Sequence, residues 1–78
     1  MRTIIFRDAY GNRISARKFY ELFPRIKELD HRTYFNFNQL AGYCERTEFF
    51  DDNGYIAGEI TVLNKGNDKY DLDNTCRV

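Results

Sequence analysis

A chain of 78 residues has the length of one small domain, and we expect residues 1–78 to fold as a single unit. Twelve basic and twelve acidic residues give a net charge of zero. This balance argues against a dedicated duplex-DNA binder, because phosphate neutralisation supplies most of the affinity of such proteins. No apolar run approaches a membrane span and no secretory signal pattern opens the chain, so the sequence predicts a cytoplasmic protein without membrane binding.

The first predicted element is a β-hairpin. The segment RTIIFR, residues 2–7, is rich in β-branched and aromatic residues, and the turn signal DAYGN follows it at residues 8–12. We expect the chain to return through NRIS, residues 12–15, as the antiparallel partner.

The apolar period changes to that of a helix after this hairpin. Five apolar residues recur at helical spacing: Phe19, Leu22, Phe23, Ile26 and Leu29. Ser15 is expected to cap the N-terminus of the helix. Because Pro24 cannot donate a backbone hydrogen bond, we expect a kink there, or two short helices with Pro24 opening the second.

The stretch TYFNFNQLAGYC, residues 33–44, has three interpretations: a base-stacking surface, a strand, or the buried side of a helix. As a strand it alternates aromatic and amide side chains for only five residues. As a helix it places four residues on one face: Phe37, Leu40, Ala41 and Cys44. Asn36 followed by Gln39 also has the spacing of a capping box. We therefore expect a helix over residues 37–46, with its aromatic residues in the core.

Two further turn signals, DDNG at residues 51–54 and NKGND at residues 64–68, divide the C-terminal part into apolar segments. The segments TEFF, YIAGEITVL and KYDLDNTCRV predict a three-stranded antiparallel meander. Gly58 lies at an inward position, which predicts a β-bulge or a close neighbour.

The expected fold class is therefore α+β. A small antiparallel sheet, made of the N-terminal hairpin and the C-terminal meander, carries two or three short helices on one face.

The sequence offers no catalytic signature, and we expect a protein that is not an enzyme and uses no cofactor. His31 is the only histidine, and it lies in a charged connector. No cluster of cysteine and histidine suits a metal, and no glycine-rich phosphate loop occurs. Cys44 and Cys76 are expected to be free thiols, because disulfides are rare in the cytosol.

Charge and tyrosine content predict the binding surface. Residues 1–40 carry eight basic and four acidic side chains, a net charge of +4, whereas residues 41–78 carry −4. Arginine and tyrosine are enriched among interface hot spots. The residues expected to bind a partner lie in and near the first helix: Arg17, Lys18, Tyr20, Arg25 and Tyr34.

The predicted function is a small module that binds another protein, as a modulator or inhibitor without catalysis. Its size and its aromatic content resemble those of small inhibitors carried by phages and mobile elements, a likeness in type of protein and not in residues. The alternative is binding of RNA or single-stranded DNA through the same basic helical surface. A third interpretation is a structural homo-oligomeric subunit. The acidic meander is the next surface to consider: Asp51, Asp52, Asp71 and Asp73.

Overall fold

A computed structural model describes residues 2–38 and 42–65, which form a five-stranded antiparallel sheet with one α-helix. In chain order the elements are β1 (Arg2–Asp8), β2 (Arg13–Ile14), α1 (Ala16–Leu22), a 3-10 turn (Ile26–Glu28), β3 (Asp30–Asn38), β4 (Gly42–Phe50) and β5 (Ile56–Lys65). The strands lie side by side in the order β2-β1-β5-β4-β3. β5 is therefore the central one of the described strands, and β2 and β3 are the outermost of them.

The expected α+β fold with two or three helices is wrong. Within the range expected to be helical, residues 37–46, the described residues 37–38 end β3 and residues 42–46 begin β4. These two strands pair over nine positions, from Asp30 opposite Phe50 to Asn38 opposite Gly42. Gly42 has a φ of 106°, which no residue within a right-handed helix adopts. The described part of the chain has one α-helix and a lone 3-10 turn.

The predicted turns at residues 8–12 and 51–54 are confirmed and share one construction. The Asp8 carboxylate accepts hydrogen bonds from the backbone N–H groups of Tyr10 and Asn12, at 3.0 and 2.9 Å. The Asp51 carboxylate likewise accepts hydrogen bonds from the backbone N–H groups of Asn53 and Tyr55, at 2.9 and 3.0 Å. Gly11 and the glycine of the second turn have φ values of 84° and 83°. The last strand of the predicted meander lies outside the described residues.

The predicted cap of the first helix is confirmed. The Ser15 hydroxyl accepts a hydrogen bond from the backbone N–H of Lys18 at 3.1 Å. The helix ends at Leu22, two residues before Pro24, and only the 3-10 turn follows. Pro24 therefore separates the two elements, and the predicted second helix is reduced to a single short turn.

Helix α1 covers one end of one face of the sheet, which we call the helix face. The Phe19 ring is fully buried and lies 5.2 Å from the ring of Phe6 on β1 and 6.4 Å from that of Phe49 on β4. The closest approach is at Gly58, where a Cβ atom would lie 2.8 Å from the Phe19 ring. The predicted close neighbour is thus confirmed. A shift in the β4–β5 register adjoins it, since Phe49 is opposite Gly58 and the next residue of β4 is opposite Ile56.

The other face of the sheet, which we call the charged face, holds the buried cluster Ile5, Cys44 and Leu63. Buried Arg7 and Thr61 lie on the same face, because side chains alternate along each strand. Cys44 is disulfide-bonded, so the expectation of a free thiol at this position is wrong. The sequence has one other cysteine, Cys76, which lies outside the described residues.

Candidate functional site

The structure brings together only part of the predicted binding surface. Arg17, Lys18 and Tyr20 lie on α1, and Arg25 follows just after Pro24. Tyr34 lies on β3 with its ring 4.8 Å from the guanidinium of Arg46, on the charged face. Because α1 packs on the opposite face, Tyr34 does not belong to the surface that the other four residues form.

Acidic neighbours offset the charge of this helical surface. Arg17 Nε lies 3.3 Å from Glu21 Oε1, and Arg25 Nη2 lies 2.7 Å from Glu28 Oε2. Both pairs are solvent-exposed, so each contributes little to stability. They nevertheless reduce the positive potential that a nucleic acid or an acidic partner would meet here.

An apolar hollow of about 210 Å³ lies where the chain leaves α1. Its lining residues follow one another in sequence: Leu22, Phe23, Pro24, Arg25, Ile26 and Leu29. Leu22 is 52% exposed, although the helical pattern predicts it to face the core. The hollow is shallow and adjoins the helical surface.

A network of charged side chains occupies the charged face, with Glu59 at its centre. Glu59 Oε1 accepts a hydrogen bond from the Thr61 hydroxyl at 2.9 Å. It also lies 3.5 Å from Arg7 Nη1 and 4.0 Å from Arg46 Nε. Arg46 Nη2 in turn lies 3.9 Å from Glu48 Oε1. Two arginines and two glutamates are thus neutralised within three adjacent strands, β1, β5 and β4.

The network continues onto the edge strand β3. The Tyr34 ring lies over the Arg46 guanidinium, and the Tyr34 hydroxyl accepts a hydrogen bond from Arg32 Nη1 at 3.3 Å. This hydrogen bond raises the pKa of Arg32 above its ordinary value. The polar groups of this network thus have one another as partners on the charged face.

The far end of the helix face carries an aromatic patch that α1 does not cover. We define this aromatic patch as Phe35, Phe37 and Tyr43. Phe35 and Phe37 are 67% and 72% exposed. The Phe35 ring meets the Tyr43 ring edge-on, with 4.9 Å between centroids. Such exposure is unusual for phenylalanine, which is among the residue types most often buried.

Tyr43 is held in place by its neighbour on β4. Its hydroxyl donates a hydrogen bond to Glu45 Oε2 at 2.7 Å. This bond, together with partial burial, raises the pKa of Tyr43 above its ordinary value of 10.0. The Tyr43 ring is therefore oriented beside the two phenylalanines.

The aromatic patch adjoins a long sheet edge. Among the described strands, β3 pairs only with β4, and it is the outermost of them over nine residues. Natural edges are commonly protected by charges, proline, bulges or short length. The segment 33–38, TYFNFN, contains no charge and no proline, and the β3–β4 register has no shift. The alternation of aromatic and amide residues in this segment was the sequence signal for the strand.

The acidic turns offer a further hollow but no metal centre. An open hollow of about 410 Å³ is lined by Asp30, Arg32, Phe50, Asp51, Asp52 and Gly54. The Asp51 carboxylate already accepts two backbone hydrogen bonds within its turn. Residues 2–38 and 42–65 contain no group of three or more side chains that could hold a metal ion. Asp71 and Asp73, also predicted as a second surface, lie outside the described residues.

Neither described helical element is long and apolar enough to cross a bilayer. No protein-family model, curated protein or solved structure shows a significant match to this chain. The functional argument therefore comes from the geometry of the sheet, and the aromatic patch is the candidate site.

Proposed function

We propose that the protein is a protein-binding module whose aromatic patch contacts a partner protein. The observation that carries this proposal is a nine-residue edge strand bearing two phenylalanines that are 67% and 72% exposed. A partner that packs against this end of the helix face would contact Phe35 and Phe37 directly.

The energetic reason is the cost of leaving these rings in water. Fully burying a phenylalanine side chain contributes roughly 1.5–3 kcal/mol, and Phe35 and Phe37 realise little of that gain within the described fold. A partner that covers both rings would gain this free energy of burial on binding. Aromatic side chains also bring large contact areas at small cost in conformational entropy.

The helical surface is the weaker candidate for the same function. Arg17, at the start of α1, forms an ion pair with Glu21, and Arg25, beside Pro24, forms one with Glu28. Tyr20, which is 49% exposed, packs its ring 5.8 Å from that of Phe6. Part of this surface is thus already engaged in the fold.

A second candidate function is binding of single-stranded nucleic acid, with bases stacked on the aromatic patch. Exposed aromatic rings on an antiparallel sheet are a common platform for such stacking. The charge around the patch favours it less, because the hollow beside Tyr43 is lined by Glu45 as well as Arg2. Salt dependence separates the two functions, since phosphate contacts give a steep linear loss of log affinity with log salt.

The test is affinity capture from extracts of the native host, followed by mass spectrometry, with and without nuclease. The test variant is Phe35→Thr/Phe37→Thr, which removes both rings and keeps residues that favour strands. The matched control is Tyr10→Thr/Tyr55→Thr, because Tyr10 and Tyr55 are 90% and 73% exposed in turns away from the patch.

Partners that survive nuclease and are lost only with the phenylalanine variant support the proposal. Partners that bind both variants equally contradict it, and a further variant, Arg17→Glu/Arg25→Glu, then tests the helical surface. Partners released by nuclease favour the nucleic-acid function instead.

The cytoplasmic location stays a prediction. The disulfide at Cys44 argues against it, because disulfides persist mainly in oxidising compartments. The extract chosen for capture should therefore include secreted and envelope fractions.

A further inference from the structure

The two turns that share one construction differ in the residue that precedes their glycine. In the first turn Tyr10 precedes Gly11, and in the second turn Asn53 precedes Gly54. Asn53 is also the only asparagine of the sequence that is followed by glycine. We propose that Asn53 is a site of spontaneous deamidation, and that the hydrogen bonds of its turn restrain the rate. This inference concerns a different part of the molecule from the aromatic patch and does not depend on the proposed function.

Deamidation is a reaction between the asparagine side chain and the next backbone nitrogen, and it contributes to the thermal lability of asparagine. The Gly54 nitrogen loses its proton to hydroxide and bonds to Cγ of Asn53. The bond from Cγ to the side-chain nitrogen breaks, and that nitrogen takes a proton from water and leaves as ammonia. Water then opens the resulting succinimide ring at either carbonyl carbon, which leaves aspartate or isoaspartate at position 53. The net change is the uptake of water and the loss of ammonia.

The surroundings of the second turn are open to this reaction. Asn53 and Gly54 are both exposed, so water and hydroxide reach them. A Cβ atom added to Gly54 would have no atom within 4 Å, so no neighbour obstructs the approach of its nitrogen to Cγ. Glycine also has the widest choice of backbone conformations, which lowers the cost of turning the nitrogen toward the side chain.

The hydrogen bonds of the turn oppose the reaction. The Gly54 N–H donates to the Asp51 carbonyl oxygen at 3.0 Å, so the attacking nitrogen is engaged while the turn is closed. The Asp51 carboxylate accepts the N–H groups on either side, those of Asn53 and Tyr55. Succinimide formation therefore requires the turn to open locally, a fluctuation that costs loops much less than the centre of a sheet. Removal of the Asp51 carboxylate should populate the open turn and accelerate the reaction.

The isoaspartate product changes the backbone that joins β4 to β5. Its chain runs through the side-chain carbonyl, which adds one atom between Cα of residue 53 and the Gly54 nitrogen. The turn is closed by the Gly54 hydrogen bond and by one from the Asp51 N–H to the Tyr55 carbonyl oxygen at 2.9 Å. Because a longer backbone disturbs this closure, the isoaspartyl form should melt at a lower temperature than Asn53→Asp. That variant has the same added charge and an ordinary backbone.

Incubation of the purified full chain at mildly alkaline pH, followed by peptide mapping with mass spectrometry, tests the inference. The peptide that contains Asn53 should gain the mass difference between an amide and an acid, and isoaspartate should form at this position. Asn53→Gln should lose this change, because glutamine would have to form a larger ring. The other asparagines provide an internal comparison and should react more slowly.

The first turn supplies matched variants for the restraint. Asp51→Ala should raise the rate at Asn53 several-fold, whereas Asp8→Ala removes the equivalent carboxylate from the first turn and should leave that rate unchanged. Tyr10→Asn places an asparagine before Gly11 and should create a second site of deamidation. Guanidinium chloride gives the same comparison without a variant, since the unfolded wild type should deamidate at Asn53 faster than the folded chain.

A folded wild type that keeps Asn53 intact, while the unfolded chain forms isoaspartate there, would overturn the inference, because the turn would then exclude the reaction altogether. Equal rates in the folded and unfolded chains would refute the restraint by the turn. Faster loss of ammonia at another asparagine would show that Asn53 is not the favoured site. None of these outcomes bears on the capture of a partner through the aromatic patch.

Discussion

Substitution of Gly58 by alanine tests whether α1 packs against the sheet as described. The new Cβ atom would lie 2.8 Å from the Phe19 ring, 3.2 Å from the Phe23 ring and 3.3 Å from the Arg7 carbonyl oxygen. The first distance is shorter than carbon atoms tolerate. The Phe19 side chain has 0% exposure, so its ring cannot swing into solvent to make room.

Two opposing effects determine how much Gly58→Ala changes the free energy of unfolding. Overpacking a core costs typically 1–3 kcal/mol, because side chains or backbone must shift. Replacing glycine by alanine also restricts the unfolded chain, which stabilises the folded state by about 0.4–1 kcal/mol. The free energy of unfolding should therefore fall by roughly 1–2 kcal/mol. For a domain of this size the melting temperature should fall by roughly 5–15 °C.

Urea and thermal unfolding, followed by circular dichroism, measure this loss in two backgrounds. In Phe19→Leu the ring is gone, so Gly58→Ala should cost clearly less than in the wild type, which is a positive coupling. Gly11→Ala is the control. Gly11 has a φ of 84° and no atom within 4 Å of an added Cβ, so its cost is backbone strain and should be equal in both backgrounds. Equal costs of Gly58→Ala in both backgrounds, or a more stable alanine variant, would refute the packing of α1 over Gly58.

Three further outcomes are expected. Ser15→Ala should lower the free energy of unfolding by about 0.5–2 kcal/mol, since the Lys18 N–H loses its capping acceptor; an unchanged urea midpoint would contradict the cap. Tyr43, followed by NMR of its ring carbons, should titrate above 10.0 and return toward that value in Glu45→Gln. Because the folded pKa is raised, this contribution to stability is complete below pH 10.0 and is lost as pH rises through the folded value. Cys44 should resist alkylation in the denatured protein until a reductant is added, and labelling without reductant would contradict the disulfide.

The features that the sequence predicts correctly depend on short stretches of chain. The turn at residues 8–12 needs one aspartate to accept two backbone hydrogen bonds and one glycine with positive φ. The cap of α1 needs one hydroxyl, that of Ser15. At Gly58 the absence of a side chain within an alternating strand signals a close neighbour. Each signal is read from a short stretch of sequence, although the neighbour of Gly58, Phe19, comes from a distant part of the chain.

The β3–β4 hairpin could not be predicted in the same way. Asn36 and Gln39 have the spacing of a capping box, and the apolar residues after them have helical spacing, so local preference favours a helix. Nine cross-strand pairs with β4 and the pairing of β4 with β5 outweigh that preference. Strand propensity depends strongly on such context, which a single stretch of sequence does not contain.

The distribution of residues over the two faces also departs from what a sequence pattern normally indicates. Interpretation of an alternating pattern assumes that charged side chains face water and phenylalanines face the core. Here Arg7 and Glu59 lie on the largely buried charged face, whereas Phe35 and Phe37 lie exposed on the helix face. The expected aromatic core residues of this segment are therefore surface residues.

The buried charges and the exposed phenylalanines differ in whether other described residues compensate for them. The buried charges are balanced inside the described fold, since Glu59 lies between Arg7 and Arg46 and accepts the Thr61 hydroxyl. The exposed phenylalanines of β3 have no comparable compensation among the described residues, beyond the contact of one ring with Tyr43. Natural sequences tend to break local rules where function requires it. The first departure is therefore balanced among the described strands, and the second is the observation behind the proposed binding of a partner at the aromatic patch.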